Sequence, residues 1–513
     1  MAKPLSRQEI EVALLQSNYF PRIAKSADEL PPCFTSKDLT PAIARRVAGS
    51  GNVRPKGYDS VAIFATRFDL VPRRFDLPHP HAYSSLAIFL ADHWAQFEQV
   101  HQNKKSKLRP RRHRDGRLFS MKSSNKDRLS KTFGTRFVVK ADVTAFYASL
   151  YTHALSWALV GRSHSKANTG PQLWFNKVDK LYRNAHRAET MGVAIGPGTS
   201  AIAGEVLLQQ VDLELVNYDY ERFIDDFILH TDDRATAEAF LLDLTKSLSK
   251  FNLAINPRKT TITELPVSSK PVWIRTLQTA VKAASPSKLS DALDLLDLAV
   301  DLTRDQPDAS SLKWALVTIE RSISFKDKKV ARGLADVLAN LSFHRPVATP
   351  YLVRLLLVHS KTLGRKFEDR INALIRHHAK YGRSDAVSWL LYLCVKINLP
   401  IADLTADAVV SGRDCLAIVL LQETNSSYAQ TRSIDFANSL VASSSDLYDL
   451  DEYWLLLYQL QRAGKLTPAY PSTEGTFGIL IAAGVNFLDF SRPAKKVARM
   501  YSRGGSNPYN NFG

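Results

Sequence analysis

The sequence of 513 residues contains little cysteine and no long hydrophobic segment. Its three cysteines are Cys33, Cys394 and Cys415, and their spacing fits neither a disulfide framework nor a metal-binding motif. We therefore expect all three to be buried packing residues. No apolar run is long enough to cross a bilayer, and the first residues lack the apolar stretch of a signal peptide. These absences predict a soluble protein of the reducing cytoplasm with no membrane partner.

Acidic residues are also in deficit. There are 68 Lys and Arg against 50 Asp and Glu, which gives a formal net charge of +18 at pH 7. Such a charge indicates a polyanionic partner, while a composition that is 45% hydrophobic excludes wholesale disorder. Fourteen Lys or Arg lie between His101 and Lys140 against two Asp. We interpret this segment either as a phosphate-binding surface or as a solvated loop.

Three aspartates lie at the ends of candidate strands in the first half of the chain. Asp142 ends the apolar run 137–141, and Asp225 and Asp226 lie between two shorter apolar runs. Short runs rich in β-branched and aromatic residues predict strands, and an Asp-Asp pair between two of them predicts a tight hairpin turn. Carboxylates brought together need a compensating cation, and hard oxygen ligands suit Mg²⁺ or Mn²⁺. Each aspartate alone fits an ordinary turn or strand end, but together they predict a two-metal nucleotidyl-transfer site.

Three further segments offer candidate contacts with a nucleotide. Residues 192–200 form a glycine-rich turn before a helical pattern, which leaves backbone N–H groups free for phosphate but also fits a plain helix start. Residues 67–81 are basic and broken by proline, which predicts a loop or an edge strand. Arg73 in that segment is either a triphosphate ligand or a solvated side chain. Residues 253–260 are expected to return a basic side chain toward the carboxylates.

Beyond about residue 266 the strand signals fade. Apolar residues recur at helical spacing, and breaks fall roughly 20–50 residues apart, which is the range of helical repeats. No repeat is regular enough to name. The pattern therefore predicts an irregular α-solenoid or helical bundle.

In this order the motifs resemble those of the reverse-transcriptase fingers and palm. Asp142 matches the first catalytic position of that family, and Phe223-Ile224-Asp225-Asp226 resembles its Tyr-x-Asp-Asp hairpin. Residues 192–200 resemble the glycine-turn motif between them, and residues 256–260 resemble the Lys-Thr strand end that follows. The resemblance implies an α+β fold class with reverse-transcriptase-like fingers and palm in residues 1–265, the palm at about 136–265. An all-α, HEAT-like helical-repeat domain in residues 266–513 would replace the thumb.

The resemblance also implies roles for individual residues. Asp142, Asp225 and Asp226 would be catalytic residues and ligands of Mg²⁺ (or Mn²⁺), with Asp226 supporting the site less directly. Lys259 would protonate the departing pyrophosphate, although an ordinary strand-end lysine is the alternative. Tyr147 would exclude a ribose 2′-hydroxyl as a steric gate, with core packing as the alternative. The implied dNTP-binding residues are Arg73, Val143, Tyr147, Gly196 and Ser200.

Two features depart from templated reverse transcriptases. Ala194-Ile195 replaces the usual Pro-Gln of the glycine motif, and a long helical half follows the palm. With the segment 151–157, these features resemble the abortive-infection (AbiK-like) reverse transcriptases of bacteria. That resemblance implies antiphage defence and template-independent, protein-primed DNA synthesis from dNTPs. It also implies a single-stranded DNA product covalently attached to the protein, and a homo-oligomer that is a trimer or hexamer.

Two alternatives remain open. One is a conventional RNA-templated DNA polymerase, which Ala194-Ile195 disfavours. The other is a non-catalytic nucleic-acid-binding scaffold, which the three carboxylates disfavour. The sequence does not identify a priming hydroxyl, but Tyr19, Tyr58, Tyr501 and Tyr509 are candidates because we expect them in mobile segments, and a serine is equally open.

Overall fold

The fold is mixed α/β, with small antiparallel sheets in the first half of the chain and helices in the second. The computed structural model describes residues 5–21, 29–51, 54–68, 71–98, 104–111, 116–121, 131–268, 270–283, 286, 288–307, 310–322, 328–467 and 475–493.

The strands of the described residues form three sheets. They are β1 (Ser60–Phe68), β2 (Val71–Pro78), β3 (Leu108–Pro110), β4 (Phe119–Met121), β5 (Phe137–Asp142), β6 (Tyr220–Phe223), β7 (Asp226–Thr231) and β8 (Thr261–Glu264). Strands β1 and β2 form a hairpin, β3 pairs with β4, and the remaining strands form one antiparallel sheet in the order β6-β7-β5-β8. The basic segment expected to be a loop or edge strand is therefore largely one arm of the β1–β2 hairpin.

Helices connect these strands and make up the described part of the second half. In the first half they are α1 (Arg7–Ser17), α2 (Pro41–Ala48), α3 (Pro80–Asp92), α4 (Trp94–Glu98), α5 (Phe146–Ser149), α6 (His153–Val160), α7 (Arg162–Ala167), α8 (Trp174–Asn184), α9 (Gly198–Glu214) and α10 (Arg234–Ser249). In the second half they are α11 (Val272–Ala283), α12 (Leu289–Asp305), α13 (Ser311–Ser322), α14 (Lys328–His344), α15 (Thr349–Val358), α16 (Ser360–Leu363), α17 (Glu368–Lys380), α18 (Ser384–Ile397), α19 (Asp403–Ser411), α20 (Cys415–Gln422), α21 (Ser427–Ser443), α22 (Leu447–Asp451), α23 (Trp454–Arg462) and α24 (Thr476–Ala482). Short 3₁₀ turns at Pro346–Ala348 and Gly364–Phe367 precede α15 and α17.

The four-stranded sheet buries one face against α10, whereas its opposite, more open face exposes Lys140 and Asp226 but buries Val138 and Asp142. Along β7 the side chains alternate, so that Phe227 and Leu229 are buried while Asp226 is exposed. Phe240 and Leu244 of α10 lie in the same buried cluster. Burying each of these side chains contributes about 1.5–3 kcal/mol, which fixes the register of the strand. The alternation therefore directs Asp226 to the open face.

The helical half packs directly on the β1–β2 hairpin. Ser384 and Asp385 begin α18, and their side chains accept hydrogen bonds from the backbone N–H groups of Phe64 at 2.9 Å and Thr66 at 2.8 Å. Buried apolar residues from both halves form one continuous cluster. The position of the hairpin therefore depends on the helical half.

The sequence predicted that the cysteines are buried and that Tyr19 and Tyr58, two candidates for the priming hydroxyl, lie in mobile segments. All three cysteines are buried, as expected. Tyr19 and Tyr58 are fully buried, and Tyr19 stacks on Tyr83 at 4.1 Å between ring centroids. The expectation that these two tyrosines lie in mobile segments was wrong, because contacts distant in sequence enclose both rings. Tyr501 and Tyr509 lie outside the described residues.

Within the described ranges, no helix is both long and apolar enough to cross a bilayer.

Candidate active site

Three aspartates meet at one end of the four-stranded sheet. Strands β5 and β7 pair so that Asp142 lies directly opposite Asp226. Opposed residues of an antiparallel pair point to the same face, with Cβ atoms about 4.5–5.5 Å apart. Asp225 precedes Asp226, and its carbonyl accepts a hydrogen bond from the N–H of Val143 at 3.3 Å. The backbone thus brings the three carboxylates to one edge.

The hairpin turn between β6 and β7 consists of Ile224 and Asp225, because Phe223 pairs with Asp226. The turn predicted at the Asp-Asp pair is therefore displaced by one residue, and Asp226 is the first residue of β7. Ile224 has a φ angle of 62°. A β-branched residue in the left-handed region is strained, so neighbouring groups must stabilise the turn.

Arg222 stabilises this turn from the interior. It is fully buried, and its Nη1 donates a hydrogen bond to the carbonyl of Ile224 at 2.8 Å. Its other hydrogen bonds go to the carboxylates of Glu205 and Asp212 at 2.7–3.2 Å. The hydroxyl of Tyr220 also donates to Asp212 at 2.5 Å. Burial acts to lower the pKa of Arg222, but the charges of Glu205 and Asp212 outweigh it and raise the pKa, so the guanidinium stays charged.

The carboxylates of the hairpin resist ionisation. The side chain of Asp226 is open to solvent on one side. Even so, loss of hydration and the charges of Asp225 and Asp142 raise the pKa of Asp226 to about 6. Burial and the charge of Asp142 also raise the pKa of Asp225, while Lys259 acts in the opposite direction. A cation near all three groups would favour their ionised forms.

A short turn brings Lys259 to this cluster. The N–H of Lys259 donates to the carbonyl of Asn256 at 3.1 Å, and Asn256 followed by Pro257 suits the first two positions of such a turn. The N–H of Asn256 in turn donates to the carbonyl of Asp142 at 2.7 Å. The ammonium group of Lys259 donates to Oδ2 of Asp142 at 2.8 Å. The structure thus places a basic side chain beside the carboxylates, while its role as a proton donor stays a prediction.

The glycine-rich turn lies against β2. The backbone N–H and C=O groups of Ile195 bond to the carboxylate and the N–H of Asp76, both at 2.8 Å. Gly196 has a φ angle of 120°, and a Cβ atom there would lie 2.5 Å from Cβ of Pro21. Glycine is therefore required by both conformation and space. The hydroxyl of Ser200 is buried and donates to the carbonyl of Ala194.

The other predicted nucleotide contacts lie near the carboxylates. The guanidinium of Arg73 on β2 lies 5.0 Å from the ring centroid of Phe75, and its charge partly opposes the rise in the pKa of Asp225 that burial causes. Val143 is buried directly after Asp142. Tyr147 is half-buried, and burial together with the charge of Asp225 raises its pKa. Arg73 and Tyr147 are therefore close enough to Asp225 to interact with it electrostatically. Their roles in nucleotide binding stay predictions.

The fit of a divalent metal depends on Asp142. Among the residues that the structure describes, no three or more His, Cys, Asp or Glu side chains are arranged to hold a metal ion. Lys259 neutralises one oxygen of Asp142, whereas Oδ1 is buried without a hydrogen-bond partner. That oxygen and the two carboxylates of raised pKa are hard, anionic donors suited to Mg²⁺ or Mn²⁺. The chemistry of these donors suits such an ion, but the described side chains are not arranged as a metal site, so a metal held by Asp142, Asp225 and Asp226 stays a prediction.

Part of the basic segment lies along the same hairpin. The backbone of Lys105 and Lys107 hydrogen-bonds to that of Arg222 at 2.9 and 2.7 Å. The side chains of Lys107 and Lys131 pair with Glu221 at 2.7 and 3.2 Å. Some of the positive charge is thus engaged in ion pairs beside β6. Residues 101–103, 112–115 and 122–130 of this segment lie outside the described residues.

The buried charges beneath the turn were not among the residues predicted from the sequence. Glu205 and Asp212 are seven residues apart in α9, a spacing that places both on one helix face. Arg222 is the single cation of the short strand β6, where it lies between Glu221 and Phe223. Two acids on an apolar helix face and a cation in a buried strand were the available signal for an internal ion cluster.

Comparisons with known proteins give limited information. No family model and no curated protein matches the sequence. The structure of apo telomerase from Candida tropicalis aligns with a TM-score of 0.31 and 11% identity, covering 79% of this chain and 69% of that chain. Telomerase from the same organism in complex with a TWJ fragment of telomeric RNA aligns with a TM-score of 0.29 and 11% identity, covering 75% of this chain and 65% of that chain. Values this low do not establish a shared fold or activity.

Proposed function

We propose that the protein is a nucleotidyltransferase, a DNA polymerase of the reverse-transcriptase type that adds dNTPs to a hydroxyl group. One observation carries the proposal: Asp142 faces Asp226 across β5 and β7, with Asp225 in the adjoining turn. Three mutually repelling carboxylates at a sheet edge suit a site for divalent cations. The same arrangement argues against a scaffold that only binds nucleic acid.

The chain's own residues would position and stabilise the reactants. The hydroxyl loses its proton to solvent as its oxygen forms a bond to the α-phosphorus, and the bond from that phosphorus to the pyrophosphate oxygen breaks. Mg²⁺ or Mn²⁺, when bound, would activate the hydroxyl and stabilise the departing charge. Lys259 would give its proton to pyrophosphate, and Arg73 would attract the triphosphate. Tyr147 would exclude a ribose 2′-hydroxyl.

Val143, Gly196 and Ser200 are the remaining residues proposed to contribute to nucleotide binding. Val143 lies next to Asp142, where its buried side chain would support the base or sugar. Gly196 would allow close backbone approach, and Ser200 would support the glycine turn through its bond to Ala194.

We further propose template-independent, protein-primed synthesis in antiphage defence, with single-stranded DNA attached to the protein and a trimeric or hexameric assembly. The resemblance to AbiK-like enzymes and the Ala194-Ile195 substitution support these finer statements. In the same proposal, residues 1–265 are fingers and palm, and residues 266–513 are a helical-repeat domain.

The test incubates the purified protein with Mg²⁺ and labelled dNTPs, without template or primer, followed by denaturing gels with and without protease. We expect label that migrates with the protein until proteolysis. Asp225→Asn should abolish labelling, whereas Asp232→Asn, at an exposed position beyond the other end of β7, should not.

Other outcomes identify the alternatives. Labelling that requires added RNA template and primer would indicate a conventional RNA-templated polymerase. Absence of label under both conditions would indicate a nucleic-acid-binding scaffold. Full activity of Asp225→Asn would exclude the hairpin from the site.

A further inference from the structure

Three rings are in contact on the surface of the helical half, one pair stacked and the other edge-to-face. Phe343 at the end of α14 stacks on His377 of α17 at 3.8 Å between centroids, and His377 contacts Tyr381 at 5.0 Å. Phe343 is 42% exposed and Tyr381 is 57% exposed. Phe343 and Tyr381 therefore both present aromatic surface to solvent, although each also packs against His377.

Two cations lie over the ring of Tyr381. The ammonium of Lys380 and the guanidinium of Arg383 lie 5.9 and 5.3 Å from the ring centroid of Tyr381. Partial burial and the charges of Arg383, His344 and Lys380 lower the pKa of His377, so its ring is neutral at pH 7 and free to stack. An aromatic surface bordered by cations is complementary to a chain of bases joined by phosphates.

Helices α14 and α17 both end at this surface. The C-terminus of a helix carries partial negative charge, which disfavours phosphate. The cations compensate for that effect. The charge of Asp385 acts on Arg383, but its carboxylate is buried and accepts hydrogen bonds from Thr66. The exposed charges next to Tyr381 are therefore positive.

The surface adjoins the element that carries Arg73. Asp385, two residues after Arg383, bonds to Thr66 of β1. The neighbouring residue Ala65 pairs with Arg73 on β2, and the charge of Arg73 reaches Asp225. A short series of contacts thus connects the exposed rings with the edge of the carboxylate site.

We propose that Phe343, His377, Tyr381, Lys380 and Arg383 form a binding surface for single-stranded nucleic acid. Bases stack on the outer faces of Phe343 and Tyr381, and the two cations contact the adjoining phosphates. Binding is tolerant of base sequence, because every base has a stacking face, and it weakens as salt concentration rises. This surface lies apart from the three carboxylates and does not depend on the proposed polymerase activity.

The test measures binding of the full-length protein to a fluorescein-labelled oligothymidine by fluorescence anisotropy, in EDTA and without dNTPs. We expect Tyr381→Ala and Phe343→Ala each to weaken binding by about tenfold, and Tyr381→Phe to leave it unchanged. Lys380→Gln should reduce the slope of log affinity against log salt by about 0.7, as for one lost phosphate contact. Tyr428→Ala is the matched control, because this tyrosine is 37% exposed but bonds to Asp407.

Several results would overturn the proposal. They are unchanged affinity in both alanine variants, an equal loss for a duplex of the same length, or altered sedimentation with unaltered oligonucleotide binding. The last result would make the surface a contact between copies of the chain. Circular dichroism of each variant verifies folding. Asp225→Asn should bind the oligonucleotide normally, so this proposal and the polymerase proposal can fail independently.

Discussion

Replacement of Arg222 by methionine tests the buried support of the carboxylate turn. The side chain is fully buried, and it makes two hydrogen bonds to Glu205 and three to Asp212. Arg222→Met would retain much of the side-chain volume but leave two buried carboxylates without their cation. Removing one partner of a buried ion pair costs about 3–5 kcal/mol. We expect the free energy of unfolding to fall by that amount.

The assay is urea unfolding followed by circular dichroism. The urea midpoint should fall with an unchanged slope. Arg136→Met is the matched control, because Arg136 is 70% exposed and pairs with Glu264 at 3.6 Å. An exposed pair contributes about 0–1 kcal/mol, so the control should unfold close to the unmodified protein. Equal midpoints for Arg222→Met and the control would refute the assigned role of the buried charges.

A combined variant separates stability from positioning. Arg222→Met with Glu205→Gln and Asp212→Asn removes the uncompensated charges, so most of the lost stability should return. It still lacks the donor to the carbonyl of Ile224. We therefore expect the kcat of the combined variant to be lower than that of the unmodified protein, while its KM for dNTP changes little. Full kcat in this variant would show that the turn does not need Arg222.

Three further predictions concern side chains of the site. Tyr147→Ala should allow ribonucleotide incorporation and Tyr147→Phe should not, as measured by the ratio of labelled rNTP to dNTP incorporated; unchanged selectivity would assign the ring to core packing. Lys259→Gln should lower kcat by about 10²-fold or more, the usual contribution of a general acid, and Lys259→Arg should fail to restore it; unaltered kcat would remove Lys259 from proton transfer. The raised pKa of Asp226 means that the folded state binds its proton more tightly than the unfolded state, so stability falls as pH rises from about 4 through about 6. Asp226→Asn should therefore be more stable than the unmodified protein at pH 8 but not at pH 4, by at most about 1 kcal/mol because water screens the exposed carboxylate; an equal gain at both pH values would contradict this assignment.

Local sequence patterns predicted the elements that carry the site. Short apolar runs predicted the strands that bear Asp142 and Asp226. The preference of Asn256-Pro257 for a turn agrees with the position of Lys259 beside Asp142. Helical spacing predicted that the second half is built of helices, whereas its arrangement as helical repeats stays a prediction. These features depend on residues close together in sequence, where side-chain periodicity and turn preferences dominate.

Long-range pairing accounts for what the sequence did not reveal. The turn was displaced to Ile224 and Asp225 because register is set by the pairing of β7 with β5 and β6. Tyr58 lies after a glycine-rich loop, yet distant contacts bury it. The bond between Asp385 and Thr66 spans 319 positions. Such contacts depend on tertiary packing, so local patterns do not indicate them.

The helical half holds the β1–β2 hairpin, which carries Arg73, at two points. The indole N–H of Trp454 donates to the carbonyl of Leu77 at 3.1 Å, which lies at the opposite end of β2 from Val71. Asp385 bonds to Thr66 near the other end of the hairpin. Arg73 lies between these two attachments, so its position relative to Asp225 depends on both. A ligand that shifted the helical half would therefore move Arg73, which couples this half to the carboxylate site through the β1–β2 hairpin.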